Sequence, residues 1–516
     1  MNLFFEKDTK IYDFYLVSLW NEPVFVNPLY QFTRTAINVL TAPIINKKLN
    51  EIDSNIVISD DEKSILRYQV KYPCAPALLA LAAVLEKKYR ICIISLDVER
   101  EHRCGTEWLR DIVQDIISKT KYGVLVSLVS TEVSQLNRFA STIKRIDSEM
   151  KVIVGGVHAT YNDYDLLQSG YIDYVVRNEG EQTIIELCDA LVDGKSITDI
   201  DGVSYICDNE IKRNTDRKFI DLEQLPIPAY HLVDKFIDKI VLTTMFSRGC
   251  PYKCAYCAES AFWTSKVRYK NVKKFADELE LLCNVYNQHF IHIADSTFGV
   301  DKSKLIELCD ELEKRKINAF FSINIRPNVF QSMGEDLLYR LRKLNFVELY
   351  MGVESADPKV IHGLSRVQGD DLFEVLERLK KIGFPFVKLY LMIGSPLDCR
   401  ESFEKTVCLV EKLLEERLIF YATCKYFVPS IGSRLCEQIH SDLSLNDISY
   451  RLDRYNSPPI YVPKETIEQE MEVYLQMIQV VQYKYYYNRA DDITRANLKR
   501  QWETFVNANY LRGHYF

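Results

Sequence analysis

Three cysteines crowd into the stretch SRGCPYKCAYC (247–257): Cys250, Cys254 and Cys257. Thiolates are soft ligands suited to zinc or to iron–sulfur clusters. A structural zinc site normally closes with four protein ligands, and a 4Fe–4S cluster also needs four. Three thiolates leave one position open. Either a zinc ion borrows a fourth ligand, with His292 as the candidate, or a cluster keeps one iron for a substrate. An open coordination position marks a catalytic metal centre.

The elements around the loop say where it sits. Cys250 follows the strand-like run IVLTTMFS (240–247), so the loop lies at a strand's carboxyl end, where barrel active sites are built. Five more such runs follow: FIHIAD (290–295), AFFSINI (319–325), FVELYMGVE (346–354), FVKLYLMIG (386–394) and FYATCKYFV (420–428). Amphipathic stretches such as KSKLIELCDELEKRK (302–316) separate them. Six βα units are too few for a full barrel, and the spacing predicts a partial (β/α)6 barrel over 241–440. Upstream, DFYLVSLW (13–20), RICIISLD (90–97), YGVLVSLV (122–129), KVIVGG (151–156) and IDYVVR (172–177) alternate with helical patterns such as 75–88 and 134–149. This predicts a doubly wound, Rossmann-like α/β domain over 1–200, with its ligand site at the strands' carboxyl ends. Residues 21–70 do not fit the alternation and read as an insertion. Residues 201–240 read as a short hairpin (201–218) and the proline-bearing linker DLEQLPIPAYHLVD (221–234). The segment 441–516 reads as mostly helical and is dense in tyrosine, as in YLQMIQVVQYKYYYNR (474–489). Packing against the barrel is the expected role of these tyrosines.

Composition sets the outer bounds. The 516 residues are 47% hydrophobic and 27% charged, ordinary for a globular chain with more than one domain. A net charge of −7 gives no bulk attraction to nucleic acid. No apolar run is long enough to span a membrane, and the start MNLFFEKDTK lacks a signal peptide's apolar core. The 14 cysteines show no disulfide-scaffold spacing, so a reducing, cytoplasmic setting is expected. Lone cysteines such as Cys92, Cys188 and Cys309 read as small core residues.

The CxxxCxxC spacing, Tyr256 before the last cysteine and the flanking RGCPY resemble the cluster loop of radical S-adenosylmethionine (SAM) enzymes. The resemblance implies a 4Fe–4S cluster on Cys250, Cys254 and Cys257. It implies SAM on the fourth iron and reductive cleavage to a 5′-deoxyadenosyl radical that abstracts hydrogen. It outweighs the zinc alternative because the loop follows a strand and precedes further βα units. Other segments match family positions. Asp295 in IADSTFGVD supports the site. Arg326 in SINIRP pairs with the SAM carboxylate. Glu354 in MGVESADP bonds the SAM amine or ribose, and Gly394 in MIGSPLD lets backbone approach SAM.

The first region, with segments 75–97, 123–145, 152–160 and 172–187, resembles the cobalamin-binding domain of cobalamin-dependent radical SAM enzymes. The resemblance places Ser127, Ser130, Gly155, Gly156, His158 and, in NEGEQ (178–182), Glu179 at the corrin or its nucleotide tail. Glycines suit a slot between sheet and helix. His102 and Gly105 supply HxxG, but Arg100 stands where the DxHxxG motif has aspartate, so no histidine ligand to cobalt is expected. The cofactors implied are a 4Fe–4S cluster, SAM and cobalamin. The reaction implied is C-methylation of an unactivated carbon in a natural-product precursor or peptide. Cyclisation or rearrangement without net methyl transfer is the alternative, and a non-catalytic cobalamin or redox sensor is the non-enzymatic one. The partners implied are a small-molecule or peptide substrate and an external electron donor such as flavodoxin or ferredoxin, with no nucleic acid.

Overall fold

The computed structural model describes residues 10–19, 28–53, 72–73, 76–101, 107–365, 372–428, 430–440 and 468–510. His102, Gly105 and residues 441–467 of the C-terminal region lie outside them.

The amino-terminal sheet has seven strands: β1 (Tyr12–Ser18), β2 (Ile91–Ser95), β3 (Thr120–Ser127), β4 (Lys151–Gly155), β5 (Tyr174–Val176), β6 (Val203–Cys207) and β7 (Glu210–Arg213). Their order is β2-β1-β3-β4-β5-β6-β7. The first five are parallel, and β6 and β7 join antiparallel. Strands such as Ile91–Ser95 are buried throughout because helices cover both faces of a parallel sheet. In the helix Val133–Ile146, Val133, Leu136, Phe139, Ala140 and Ile143 are buried, the spacing of one helical face. The hairpin expected over 201–218 forms, but as an extension of this sheet. The strand order reverses at β1, and open α/β sheets bind ligands beside such a reversal.

The second sheet is wholly parallel, with strands in chain order: β8 (Thr243–Thr244), β9 (Phe290–Ile293), β10 (Phe320–Ile325), β11 (Phe346–Glu354), β12 (Phe386–Ile393) and β13 (Tyr421–Tyr426). β8 and β13 are the two ends of the sheet, so the barrel is partial and open. The expected strand 240–247 is broken. Only Thr243–Thr244 pairs with β9, while Ile240–Val241 pairs with Tyr72–Pro73 and Ser247–Arg248 pairs antiparallel with Arg268–Tyr269. Asp295 explains the exit from the sheet: its carboxylate accepts the N–H groups of Phe246 and Ser247 at 2.7 and 3.0 Å in place of a neighbouring strand.

Residues 28–52, inside the stretch read as an insertion, form a helix. It packs with the C-terminal helix Glu468–Tyr487 around Phe290, Phe320, Val347, Phe386 and Phe420, at the amino ends of the barrel strands. The C-terminal helix also covers the exposed edge of β13. Gln482 donates to the carbonyl of Ala422 at 2.9 Å and accepts its N–H at 2.8 Å, standing in for a missing strand. Tyr486 donates to the Phe420 carbonyl. The tyrosine-rich segment therefore serves packing, as expected.

Candidate active site

Backbone geometry sets the three-cysteine loop. Gly249 has φ +105°, and a Cβ there would lie 1.9 Å from the carbonyl oxygen of Lys266, so only glycine fits. Cys250 and Cys254 are buried and Cys257 is half-buried. Cys250 Sγ lies 3.5 Å from Thr297 Oγ1, and Arg326 Nη1 donates to Cys254 Sγ at 3.1 Å. Burial pushes the Cys257 thiol up to about 12, with Glu259, Cys254 and Cys250 adding to the rise. The three sulfurs thus share one electrostatic neighbourhood, and a bound cation favours their ionised form. Among the described residues no three His, Cys, Asp or Glu groups converge as a ready-made cage for one ion. His292 lies inside the barrel, its Nδ1 3.1 Å from Ser322 Oγ and its ring edge-on to Tyr350. Its place in that network removes the fourth ligand suggested for zinc. An all-sulfur set of three on one loop fits a cluster with an open corner.

The other barrel residues singled out by sequence gather at the same carboxyl end, with distinct tasks. Asp295 is fully buried, and its second oxygen accepts from Ser247 Oγ at 2.6 Å. Burial pushes its carboxyl up to about 6 against these hydrogen bonds. It shapes the start of the loop. Arg326 stacks 3.9 Å over the Tyr252 ring and reaches Cys254. Glu354 has φ +70°, an uncommon conformation for a non-glycine residue and one that clusters at functional sites. Its Oε1 accepts from Tyr256 Oη at 3.0 Å, tying β11 to the loop. Gly394, at φ +91°, opens a turn whose N–H groups, from Gly394 and Ser395, donate to Asp398 Oδ2 at 3.0 and 2.8 Å.

In the amino-terminal domain, the ends of β3, β4 and β5 and the start of the helix Pro76–Leu85 wall a cavity of about 280 Å³. The first barrel strand and its exit, Thr243–Arg248, line it as well. Ser127, Gly155, Gly156 and Glu179 line it; Ser130 and His158 are not among its lining residues. His158 is buried, with Nδ1 3.0 Å from Ser130 Oγ and Nε2 3.3 Å from Asn162 Nδ2. Burial lowers its pKa to about 4, so it is a neutral structural group. Gly156 has φ +102°, and a Cβ there would approach the Leu128 carbonyl to 2.6 Å. The glycine is required by the close pass of two strand ends as well as by the slot. The mostly apolar, glycine-bearing lining fits an inserted part of cobalamin.

Glu179 holds the two domains together. Its carboxylate accepts from Arg248 Nη1 at 2.8 Å, from Arg268 Nη1 and Nη2 at 2.9 Å, and from the Ile220 N–H at 2.9 Å. Glu181 pairs with Arg248 Nη2 at 2.5 Å. Burial acts to lower the Arg248 pKa, but Glu181 and Glu179 together raise it above its usual value. Arg248 stands two positions before Cys250. Sequence reasoning missed this joint because its partners lie far apart in the chain. The repeated acids of NEGEQ and the arginine in SRGC were its signal. Asp398 was missed too, although its place in the SPLD turn marked it as a turn-holding carboxylate.

Comparison with known proteins agrees with this geometry. Residues 244–408 match the radical SAM superfamily and residues 69–188 match the B12 binding domain. An uncharacterized methyltransferase of Pyrococcus horikoshii is 28% identical over 337 residues, covering 64% of this chain and 72% of that protein. The anaerobic magnesium-protoporphyrin IX monomethyl ester cyclase of Rubrivivax gelatinosus is 27% identical, over 48% of this chain and 46% of the cyclase. The chain thus spans less than half the length of that relative. The fold is shared with the radical SAM methyltransferase TsrM of Kitasatospora setae, at TM-score 0.59 and 17% identity over 72% of this chain and 75% of that one. With a B12-binding domain followed by a radical SAM core and its three-cysteine loop, the chain belongs to the cobalamin-dependent radical SAM enzymes.

Proposed function

We propose that this enzyme methylates an unactivated carbon of a small-molecule or peptide substrate. One observation carries the reading: a single apolar cavity is walled by the strand ends of the B12-binding domain and by the barrel strand that leads into the cysteine loop. When bound, the cluster with SAM supplies hydrogen abstraction and cobalamin supplies a transferable methyl group. The chain's own residues hold, orient and dry the site. Cys250, Cys254 and Cys257 hold the cluster. Arg326, beside Cys254, is placed to receive the SAM carboxylate, and arginine's fork suits a carboxylate. Glu354, fixed by Tyr256, is an acceptor for the SAM amine or ribose. The Gly394 turn, held by Asp398, offers backbone without a side chain in the way. Ser127, Gly155 and Gly156 shape the cobalamin slot, and the Glu179–Arg248–Arg268 joint sets the two seats relative to each other. An external flavodoxin- or ferredoxin-type protein is the electron source in this reading.

The uncharacterized methyltransferase supports methylation; the cyclase relative supports a second reading, ring formation without net methyl transfer. Reconstituted, reduced protein given SAM and cobalamin separates them. A methyltransferase consumes SAM in two ways, yielding both 5′-deoxyadenosine and S-adenosylhomocysteine. 5′-Deoxyadenosine alone supports the cyclase reading, and absence of both defeats each.

A further inference from the structure

At the opposite end of the barrel from the cysteines, the helix Pro28–Ile52, the loops entering β11, β12 and β13, and the end of the C-terminal helix surround a cleft of about 580 Å³. Five cationic side chains line it: Lys48, Arg342, Lys380, Arg417 and Arg489. Among the described residues the lining holds one carboxylate, Glu51, which lies 3.8 Å from Lys47 on the same helix. This is a notable excess of positive charge in a chain whose 72 acidic residues outnumber its 65 Lys and Arg.

Four of the cations are held by groups that leave their charge uncancelled. Lys48 Nζ donates to the Pro385 carbonyl at 3.0 Å and lies 5.6 and 5.8 Å from the Phe386 and Phe420 ring centroids. Arg342 Nε donates to the Gly383 carbonyl at 2.8 Å, and Lys380 Nζ to the Glu416 carbonyl at 2.8 Å. Arg489 Nη1 donates to the Tyr485 carbonyl at 2.9 Å and stacks 3.8 Å over that ring. Among the described residues none of the five has a carboxylate within ion-pair distance. Burial lowers the pKa of Lys48, which Glu51 partly offsets, and burial lowers that of Arg342. Like charges gathered and partly dehydrated without a counter-ion are unfavourable. A bound anion removes that cost, and backbone carbonyls already hold four of the five side chains in place. The bonds to Arg342 Nε and Arg489 Nη1 leave other guanidinium N–H groups for an acceptor.

We propose that this cleft is a binding site for a phosphate-bearing small molecule, separate from both cofactor seats. Arg342 and Arg417 grip the phosphate, Lys48, Lys380 and Arg489 add charge, and Phe384, Phe420 and Tyr485 supply an apolar wall for an organic part. Cleft size falls within the range of small-ligand sites.

Calorimetry on the full-length, cluster-reconstituted protein tests this, titrating pyrophosphate against chloride at equal ionic strength. Saturable binding is expected, weakened about tenfold or more in the pair Arg342→Gln, Arg417→Gln, since each loses a charge-assisted contact. Glu51→Gln removes a lining carboxylate and should tighten binding several-fold, a gain that misfolding cannot mimic. Adenosine diphosphate run beside pyrophosphate tells organic from free phosphate: tighter binding assigns the aromatic wall to the organic part, and equal binding assigns recognition to phosphate alone. Lack of saturation by about 10 mM, the millimolar limit of useful affinity, overturns the proposal. So does binding that neither variant changes.

Discussion

The carboxyl ends of β3, β4 and β5 meet the shared cavity with Gly155, Gly156 and apolar side chains, while the carboxyl ends of the barrel strands carry Asp295, Arg326 and Glu354. Both sets are strand ends of parallel sheets, and in the proposed function they solve different problems. Part of a bulky cofactor needs volume, which backbone shape supplies. A cluster and a charged nucleotide need fixed charge, and buried charge survives only when it is hydrogen-bonded. Asp295 receives three hydrogen bonds from Phe246 and Ser247, and Asp398 receives four from Gly394, Ser395 and Ser402. Glu179 is where the two kinds of strand end meet.

The strongest way to break this contrast is to cut the joint. Glu179→Gln removes a buried charge, and the change should cost about 3–5 kcal/mol, the usual cost of opening a buried ion pair. The urea midpoint should fall and cobalamin affinity should drop, although Gln can still accept a hydrogen bond. An unchanged midpoint would mean that the domains are held elsewhere.

A smaller effect tests shape on each side. Gly249→Ala forces a Cβ into the Lys266 carbonyl, and Gly156→Ala forces one into that of Leu128. Each should cost on the order of 1–3 kcal/mol in strain. The readouts should separate: the first lowers iron bound per chain, the second lowers cobalamin bound per chain. Equal loss of both cofactors in each variant would erase the distinction.

The smallest effect is a difference in acid response. His158, lowered to about 4 from 6.5, gives stability that is complete above pH 6.5 and is lost as pH falls toward 4. Asp295, raised from 3.8 to about 6, acts the other way: its protonated form favours the folded state, and that contribution is lost as pH rises through 6. The His158 share amounts to about 2 kcal/mol between pH 6.5 and 5. Urea midpoints against pH should show a shallower acid-side fall in His158→Gln and a steeper one in Asp295→Asn. Parallel curves for both variants and the parent would show that neither group titrates as described.

Much of the molecule was readable along the chain. A run such as RICIISLD became β2 because fully buried parallel strands have continuous apolar sequence. Cys92, Cys188 and Cys309 are buried as expected. The first barrel strand was misread as continuous because IVLTTMFS holds no charge, glycine or proline to mark a break, and only Asp295, about fifty positions on, shows why the backbone leaves the sheet. The helix 28–52 eluded assignment because its Pro43 and weak apolar periodicity give it no clear face until the barrel's amino end supplies a partner.

By itself the sequence determined the two α/β units, the thiol set and the implied cofactors, since periodicity and ligand spacing are local properties. The tertiary structure alone decided that Glu179 grips Arg248 and Arg268, that Gln482 closes the edge of β13, and that five cations meet at the barrel's far end. Those depend on distant residues brought within a few ångströms, where the energy of a charge is set by burial and by its neighbours, and no local pattern encodes either.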